Sequence, residues 1–183
     1  MTKNILLIIL LLSTFLSADD LNDLKTQFLN KQYAQVCSKS VVLYTKYKHD
    51  DSFLNIFAVS CLNSDMINKM MVPIIKLYKT KENRENAAYF ATVLYEKKLL
   101  YYALIDHVDI SYVNLPKTNY ILSIIFDKYV KGKYTQKENS YWFNDDKDKN
   151  LKYKLSVEEK NGVKKIYLRT LKNDTVIKTR VYW

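Results

Sequence analysis

The chain has 183 residues with only two glycines and two prolines, and its formal net charge at pH 7 is +10. So few glycines argue against a glycine-rich phosphate loop, and the scarcity of both residues argues against an all-β fold with many tight turns. A positive charge favours nucleic acid or anionic polymers as partners. Here, however, lysine is abundant together with asparagine, isoleucine and tyrosine, the composition that an AT-rich coding sequence produces without selection for charge, and nucleic acid is therefore not predicted as a partner.

Residues 1–18 are predicted to be a secretory signal peptide. Lys3 supplies a small positive region, residues 5–16 form an apolar run, and cleavage is predicted after Ala18. Twelve helical residues rise only about 18 Å, well short of the roughly 30 Å hydrocarbon core, so a retained span is the weaker alternative. Asp19 stands where a lipoprotein would carry its acylated cysteine. We therefore predict a periplasmic or secreted protein that is not an integral membrane protein after cleavage.

Residues 19–132 are predicted to form about seven antiparallel helices, because their apolar residues recur at helical spacing. The first helix follows Asp20, the second begins at Tyr33, and Ser52 is predicted to cap the third. The other four are predicted over Met66–Tyr78, about Glu85–Lys97, Leu99 to His107, and Thr118 to about Val130. Pro73 lies inside the fourth helix, which it should kink or start afresh because proline removes a backbone donor.

The two cysteines, Cys37 and Cys61, lie on the second and third predicted helices. If the turn between these helices is centred on residues 49–51, the two cysteines are opposite one another. We predict that they form a disulfide bond, as an oxidising compartment allows. The alternative is a pair of buried free thiols.

A repeat with a spacing of 34, then 33, then 34 residues runs through the helical segment. One row contains Leu24, Ala58, Ala91 and Ile125, and a second contains Phe28, Leu62, Tyr95 and Tyr129. Twelve residues after the first three members of the first row stand Val36, Met70 and Ala103. Such a period is typical of stacked helical hairpins.

The spacing resembles that of a degenerate tetratricopeptide repeat array over about residues 20–131. In that family, small residues at the positions of Ala91 and Ala103 let the two helices of a hairpin approach closely. Leu24 and Val36 depart from the family pattern, and the proline that commonly follows the second helix is absent. The resemblance implies that the first row and its companions twelve residues later are packing positions.

The resemblance also implies a concave surface that binds a segment of a partner protein. Carried over position by position, this surface would contain Lys25, Phe28, Asn55, Val59, Leu62, Thr92, Tyr95, Phe126 and Tyr129. A largely apolar stripe of this kind suits a peptide or a partner's helix. The alternative is that Phe28 and Tyr129 pack as core against the terminal elements.

Residues 133–183 change from helical to alternating periodicity and are predicted to form an antiparallel meander of three or four strands. Strands are predicted over residues 151–157, 163–171 and 175–183, with Ser140–Asn144 as a short first strand. Asn161-Gly162 is a strong hairpin signal. The predicted fold class is therefore α+β, with a helical array followed by a small sheet.

The outward face of this sheet is predicted to be basic, with tyrosines interleaved. Its basic residues would be Lys152, Lys154, Lys165, Arg169, Lys178 and Arg180. Such a face can bind an anionic envelope polymer or lipid headgroups. The alternative is a solvated face whose lysines prevent association between sheet edges.

No arrangement of catalytic residues stands out. His107 lies near Asp106 and Asp109 at a predicted helix end, and a ligand role is disfavoured there because a cation suits the helix dipole. The acidic run 145–148 lacks the glycine and glutamate of an EF-hand loop. We predict a non-enzymatic adaptor or scaffold in a cell-envelope assembly that needs no cofactor or metal, with anionic polymer binding as the alternative function.

Overall fold

The computed structural model describes residues 20–183, so the predicted signal peptide and its cleavage site lie outside the described residues. The chain divides into two compact units at Ala87 and Ala88. The predicted boundary between residues 132 and 133 falls inside the second unit.

The first unit is helical. Its described part contains α1 (residues 20–29), α2 (Tyr33–Tyr47), α3 (Asp51–Asn63), a 3-10 turn (Ile67–Met70), α4 (Met71–Lys76) and the start of α5 (Lys81–Asp106). α3 contributes more buried apolar residues than any other helix of this unit, and its Phe53, Phe57 and Ala58 are fully buried. The ring of Phe53 lies 6.1 Å from that of Phe57.

The hairpin of α2 and α3 confirms the predicted disulfide. Cys37 and Cys61 are bonded, both are fully buried, and they are 24 residues apart in the chain. The cap of α3 differs from the prediction, because the side chain of Asp50, and not of Ser52, accepts a hydrogen bond of 3.0 Å from the backbone N–H of Phe53. The helix therefore begins one residue earlier than Ser52, and its first N–H groups still find an acceptor. The disulfide fits an exported protein.

Pro73 restarts the chain as predicted. The segment expected as one helix is divided into the 3-10 turn, which ends at Met70, and α4, which begins at Met71. Pro73 is then the third residue of a new helix, where the backbone N–H has no intrahelical partner to lose.

α5 is one continuous helix of 26 residues, so the prediction of two helices over residues 85–97 and 99–107 is wrong. The chain between Lys81 and Asp106 contains no glycine or proline, and Lys98 and Leu99 at the expected turn are good helix formers. Residues 20–183 consequently form six helices where about seven were predicted. None of the helices in this part of the chain has the length and apolar character needed to cross a membrane.

The packing positions of the repeat, which are the first row and its companions twelve residues later, are buried with one exception. Leu24, Ala58, Val36, Met70 and Ala103 have at most 3% of their surface exposed. Ala91, which lies in the middle of the continuous helix, is exposed. A small residue in this position has no second helix of its own hairpin to pack against.

The second unit contains the remainder of α5, the whole of α6 (Ile121–Val130) and a five-stranded antiparallel sheet. The strands are β1 (Thr135–Lys137), β2 (Ser140–Asn144), β3 (Leu151–Lys160), β4 (Val163–Lys172) and β5 (Thr175–Tyr182), hydrogen-bonded in chain order. The predicted count of three or four strands omits β1, whose three polar residues are all exposed and have no alternating pattern. β1 forms because β2 supplies its hydrogen-bonding partner.

Positive φ angles mark the hairpin turns. Asn161 and Gly162 have φ of 54° and 72°, the left-handed pair that a two-residue hairpin turn requires. Asn173 and Asp174 have φ of 50° and 63° at the next turn. In the last pair of strands, Thr170 pairs with Lys178 and Leu171 with Val176, which leaves Ile177 as a bulged extra residue.

Candidate functional site

One face of the sheet packs on helical and loop residues of its own unit. The ring of Tyr141 lies 5.2 Å from that of Tyr129 in α6, and the hydroxyls of Tyr182 and Tyr120 are 3.2 Å apart. Leu155 and Leu168 pair across β3 and β4 on this face and are fully buried. We call it the helix-facing side of the sheet.

The opposite face carries several basic and aromatic side chains close together. Directly paired residues share a face of an antiparallel sheet, and the pairs Trp142 with Lys154 and Lys154 with Arg169 therefore stand together. We call this surface the basic aromatic face, and define it as Lys137, Trp142, Lys152, Lys154, Lys165, Tyr167, Arg169 and Trp183.

Cations lie over each of the three aromatic rings of the basic aromatic face. The Nζ atoms of Lys137 and Lys154 lie 5.8 and 5.3 Å from the Trp142 ring centroid, so two lysines flank one indole. Lys165 Nζ lies 4.7 Å from the Trp183 ring, and the Arg169 guanidinium lies 5.0 Å from that of Tyr167. These contacts hold the charged ends close to the sheet surface.

Carboxylates neutralise only part of this face. Arg169 pairs with Glu158 at 2.6 Å and lowers the pKa of that carboxyl through their hydrogen bond, while Lys152 pairs with Asp174 at 2.9 Å. Within residues 20–183, Lys137, Lys154 and Lys165 form no ion pair with a carboxylate. The three lysines held against tryptophan rings therefore keep their charge available to a ligand.

The structure divides the six basic residues predicted for one face. Lys152, Lys154, Lys165 and Arg169 lie on the basic aromatic face, but Lys178 and Arg180 lie on the helix-facing side, since Arg180 pairs with the buried Leu168. Arg180 Nη1 donates to Thr170 Oγ1 at 3.2 Å. The cause is Tyr182, which is 1% exposed and fixes which alternate residues of β5 face the core.

In the first unit, the residues predicted for a concave surface do not form an open stripe. Leu62 is buried, Phe28 and Val59 are half-buried, and Lys25 is exposed. Asn55 is engaged within the unit: its Nδ2 donates to Asn83 Oδ1 at 3.0 Å, and its Oδ1 accepts from Asn86 Nδ2 at 2.8 Å.

In the second unit, the predicted residues also differ in exposure. Phe126 is 3% exposed, and Tyr129 is half-buried with its ring 5.5 Å from that of Tyr134. Burial raises the pKa of the Tyr129 hydroxyl above its usual value. Thr92 is half-buried and donates to the Ala88 carbonyl at 2.9 Å, whereas Tyr95 is 53% exposed. Tyr95 is thus the aromatic member of this set that is available to a partner.

Two consecutive residues of α5, Glu96 and Lys97, have ionisable side chains and are buried. Glu96 is 2% exposed, and desolvation raises its pKa to about 7; its Oε1 accepts a hydrogen bond of 2.8 Å from Ser123 Oγ. Lys97 is 1% exposed and donates to the Trp183 carbonyl, and desolvation lowers its pKa to about 8. Lys97 thus contacts the main chain of Trp183, whereas Glu96 contacts α6 through Ser123.

Sequence reasoning missed Lys137 and the role of Trp183 in the basic aromatic face. Lys137 belongs to β1, which has no periodic signal, and the contact of Trp183 with Lys165 joins residues that are distant in the sequence. Within the described residues, no group of three or more His, Cys, Asp and Glu side chains is arranged to hold a metal ion. Comparison of the chain with protein-family models, curated proteins and solved structures found no match.

Proposed function

We propose that the chain is an exported, non-enzymatic binding protein of the cell envelope whose basic aromatic face holds an anionic polymer or anionic lipid headgroups. The observation that carries this proposal is the set of three lysines, Lys137, Lys154 and Lys165, held over Trp142 and Trp183 with no carboxylate partner in the described chain. The tetratricopeptide resemblance and the periplasmic location belong to the same proposal.

A phosphate or carboxylate group fits this arrangement for two reasons. Each lysine near an anionic surface contributes about 1 kcal/mol, and a lysine fixed over an aromatic ring has less side-chain freedom to lose on binding. A chain of anionic groups can also contact Lys137, Lys154 and Lys165 together, since the three lysines share one face. The tryptophan rings supply apolar area beside the charges.

Binding of linear polyphosphate, an anionic polymer, can be followed by tryptophan fluorescence. Trp142 and Trp183 are the chain's two tryptophans, and both lie on the proposed surface. We expect polyphosphate to change tryptophan fluorescence saturably, and Lys154→Gln to weaken binding about fivefold, which corresponds to about 1 kcal/mol. The affinity for polyphosphate should fall steeply when the salt concentration is raised from about 0.1 M to about 0.5 M. The reason is that the Debye length shrinks from about 10 Å towards 3 Å.

The matched control is Lys172→Gln. Lys172 lies on β4, as Lys165 does, but pairs with Leu151 on the other side of the sheet. Lys172→Gln removes one positive charge, as Lys154→Gln does, and we expect it to alter the affinity for polyphosphate less than twofold. Equal weakening by both variants, or binding that does not depend on salt, would contradict a specific role for the basic aromatic face.

Capture of a partner protein by α5 is the second candidate function. Tyr95 and Tyr102 are 53% and 50% exposed and stand seven residues apart, which places them on one side of the helix. Exposed Ala91 lies on the same side, one turn before Tyr95. Of these three residues, Tyr95 belongs to the predicted partner-binding surface.

Tyr95→Ala is expected to lower the recovery of envelope partners in a pull-down at least fivefold, because a central tyrosine in an interface commonly contributes more than about 1 kcal/mol. Tyr112→Ala is the control, since Tyr112 is 79% exposed in the loop before α6. Tyr129→Ala is unsuitable as a test because Tyr129 packs in an aromatic cluster. Recovery of the same partners by the Tyr95 variant would remove this candidate.

A further inference from the structure

A cleft of about 420 Å³ opens at one end of the second unit, on the helix-facing side of the sheet. Its apolar lining includes Leu104 of α5, Tyr141 of β2 and Val157 of β3, all at least half-buried. This volume lies in the range of about 300 to 1,000 Å³ that is usual for small-molecule sites. We refer to it as the polar cleft, because charged and amide side chains surround the apolar lining.

The rim of the polar cleft carries one acid and one base that face each other across two strands. Glu159 and Lys164 are directly opposite partners of β3 and β4, and both line the cleft. Their side chains form no ion pair or hydrogen bond with each other or with any residue of the part of the chain that the structure describes. The two opposite charges therefore stand beside each other on adjacent strands, and both side chains can still form hydrogen bonds with a ligand.

The last turn of α5 adds to the negative side of the cleft. Leu104 and His107 both line it, and α5 ends at Asp106 with His107 in the left-handed conformation at φ 57°. The final carbonyl groups of a helix carry partial negative charge and favour a cation. We therefore expect the end of α5 and Glu159, which line the same cleft, to favour an ammonium group there.

The amide side chains of Gln136 and Asn139 complete the rim from the β1–β2 hairpin. Each amide offers both donors and an acceptor, so it can bind a polar group of either kind. The site thus combines an anionic group, a cationic group and an apolar lining, with no excess of one charge.

We propose that the polar cleft binds a free amino acid with an apolar side chain, as its zwitterion. The ammonium group is held by Glu159 and the end of α5, the carboxylate by Lys164, and the side chain contacts Leu104 and Val157. This site is separate from the basic aromatic face, which lies on the other side of the sheet and suits anions alone.

The experiment is an NMR titration of the full chain with L-leucine, with the backbone amides of Asn139, Val157 and Lys164 as reporters. We expect saturable shifts at these amides. Glu159→Gln and Lys164→Gln should each weaken binding at least tenfold. Lys160→Gln, which pairs with Val163 one position away and faces the other side of the sheet, should change affinity less than twofold.

Two modified ligands test whether both charges are recognised. N-acetyl-leucine lacks the ammonium group and leucinamide lacks the carboxylate, so each should bind at least tenfold more weakly than leucine. The proposal is overturned if leucine causes no saturable shift, if either modified ligand binds as well as leucine, or if glucose binds at the same amides in place of leucine.

Discussion

Replacing both Cys37 and Cys61 with alanine is expected to lower the free energy of unfolding of the α2–α3 hairpin by about 3 kcal/mol. The bond closes a loop of 24 residues, and both sulfur atoms are fully buried. Without the bond, the unfolded chain gains conformational freedom that the folded hairpin does not have. The first unit lacks other covalent constraints among residues 20–87, so its stability should depend strongly on this one.

Alanine is preferable to serine in this experiment because the surroundings already contain two buried hydroxyls. Ser40 and Ser60 are fully buried, and their Oγ atoms have no hydrogen-bond partner among the described residues. Two further hydroxyls would add desolvation to the loss of the bond.

Amide hydrogen exchange of peptides from α2 and α3 measures this effect directly, because it reports the stability of one region. Reduction of the wild-type protein should produce the same loss of protection as the double alanine variant. The reductant should have no effect on that variant, which serves as the control. Unchanged exchange in both helices after reduction would show that packing of residues such as Phe53 and Phe57 is sufficient without the disulfide.

The hairpin and the sheet could be predicted from sequence because their signals are local. A turn at residues 49–51 places Cys37 opposite Cys61, and Asn161-Gly162 specifies a tight turn whatever the rest of the chain does. Alternation in β3 likewise identifies Tyr153 and Leu155 as core residues, as their burial confirms. In each case, a short segment of sequence is enough to determine the turn or the face of the strand.

Features that depend on distant contacts were missed. The repeat spacing predicts a turn near Lys98, but nothing in the local sequence breaks the helix there, and α5 continues to Asp106. β1 contains only Thr135, Gln136 and Lys137, which pair because β2 is adjacent. Local propensity decides the first case, and tertiary hydrogen bonding decides the second.

In the candidate site, too, some features follow from local sequence and others depend on distant contacts. Lys152, Lys154, Lys165 and Arg169 could be grouped from the alternation of β3 and β4. The side on which β5 places Lys178 could not be predicted, because it depends on Tyr182 packing beside Tyr120. Since strand faces alternate, the buried Tyr182 determines which side of the sheet each residue from Lys178 to Tyr182 faces, up to the bulge at Ile177.

Glu96→Gln is expected to stabilise the second unit above neutral pH and to have little effect in mild acid. Burial raises the pKa of Glu96 to about 7 from 4.5, and the nearby Asp127 adds repulsion to its charged form. The folded state therefore retains a proton that the unfolded state releases near pH 4.5. As pH rises from 4.5 to about 7, the wild-type protein loses stability, by up to roughly 3 kcal/mol.

Glutamine removes this loss because it stays neutral and can still accept the hydrogen bond from Ser123 Oγ with its amide oxygen. Its amide nitrogen would occupy the position of Glu96 Oε2, which has no partner in the described residues. A buried amide without a partner costs about 1 kcal/mol or more, so we expect a net gain of about 2 kcal/mol at pH 8 and a small loss at pH 5.

Tryptophan fluorescence during chemical denaturation measures this difference in the second unit, because Trp142 and Trp183 both belong to it. Glu138→Gln in the same unit is the control, since Glu138 is exposed in the turn between β1 and β2. The control should not gain stability between pH 5 and pH 8. If the two glutamine variants have parallel pH profiles, Glu96 is not protonated preferentially in the folded state.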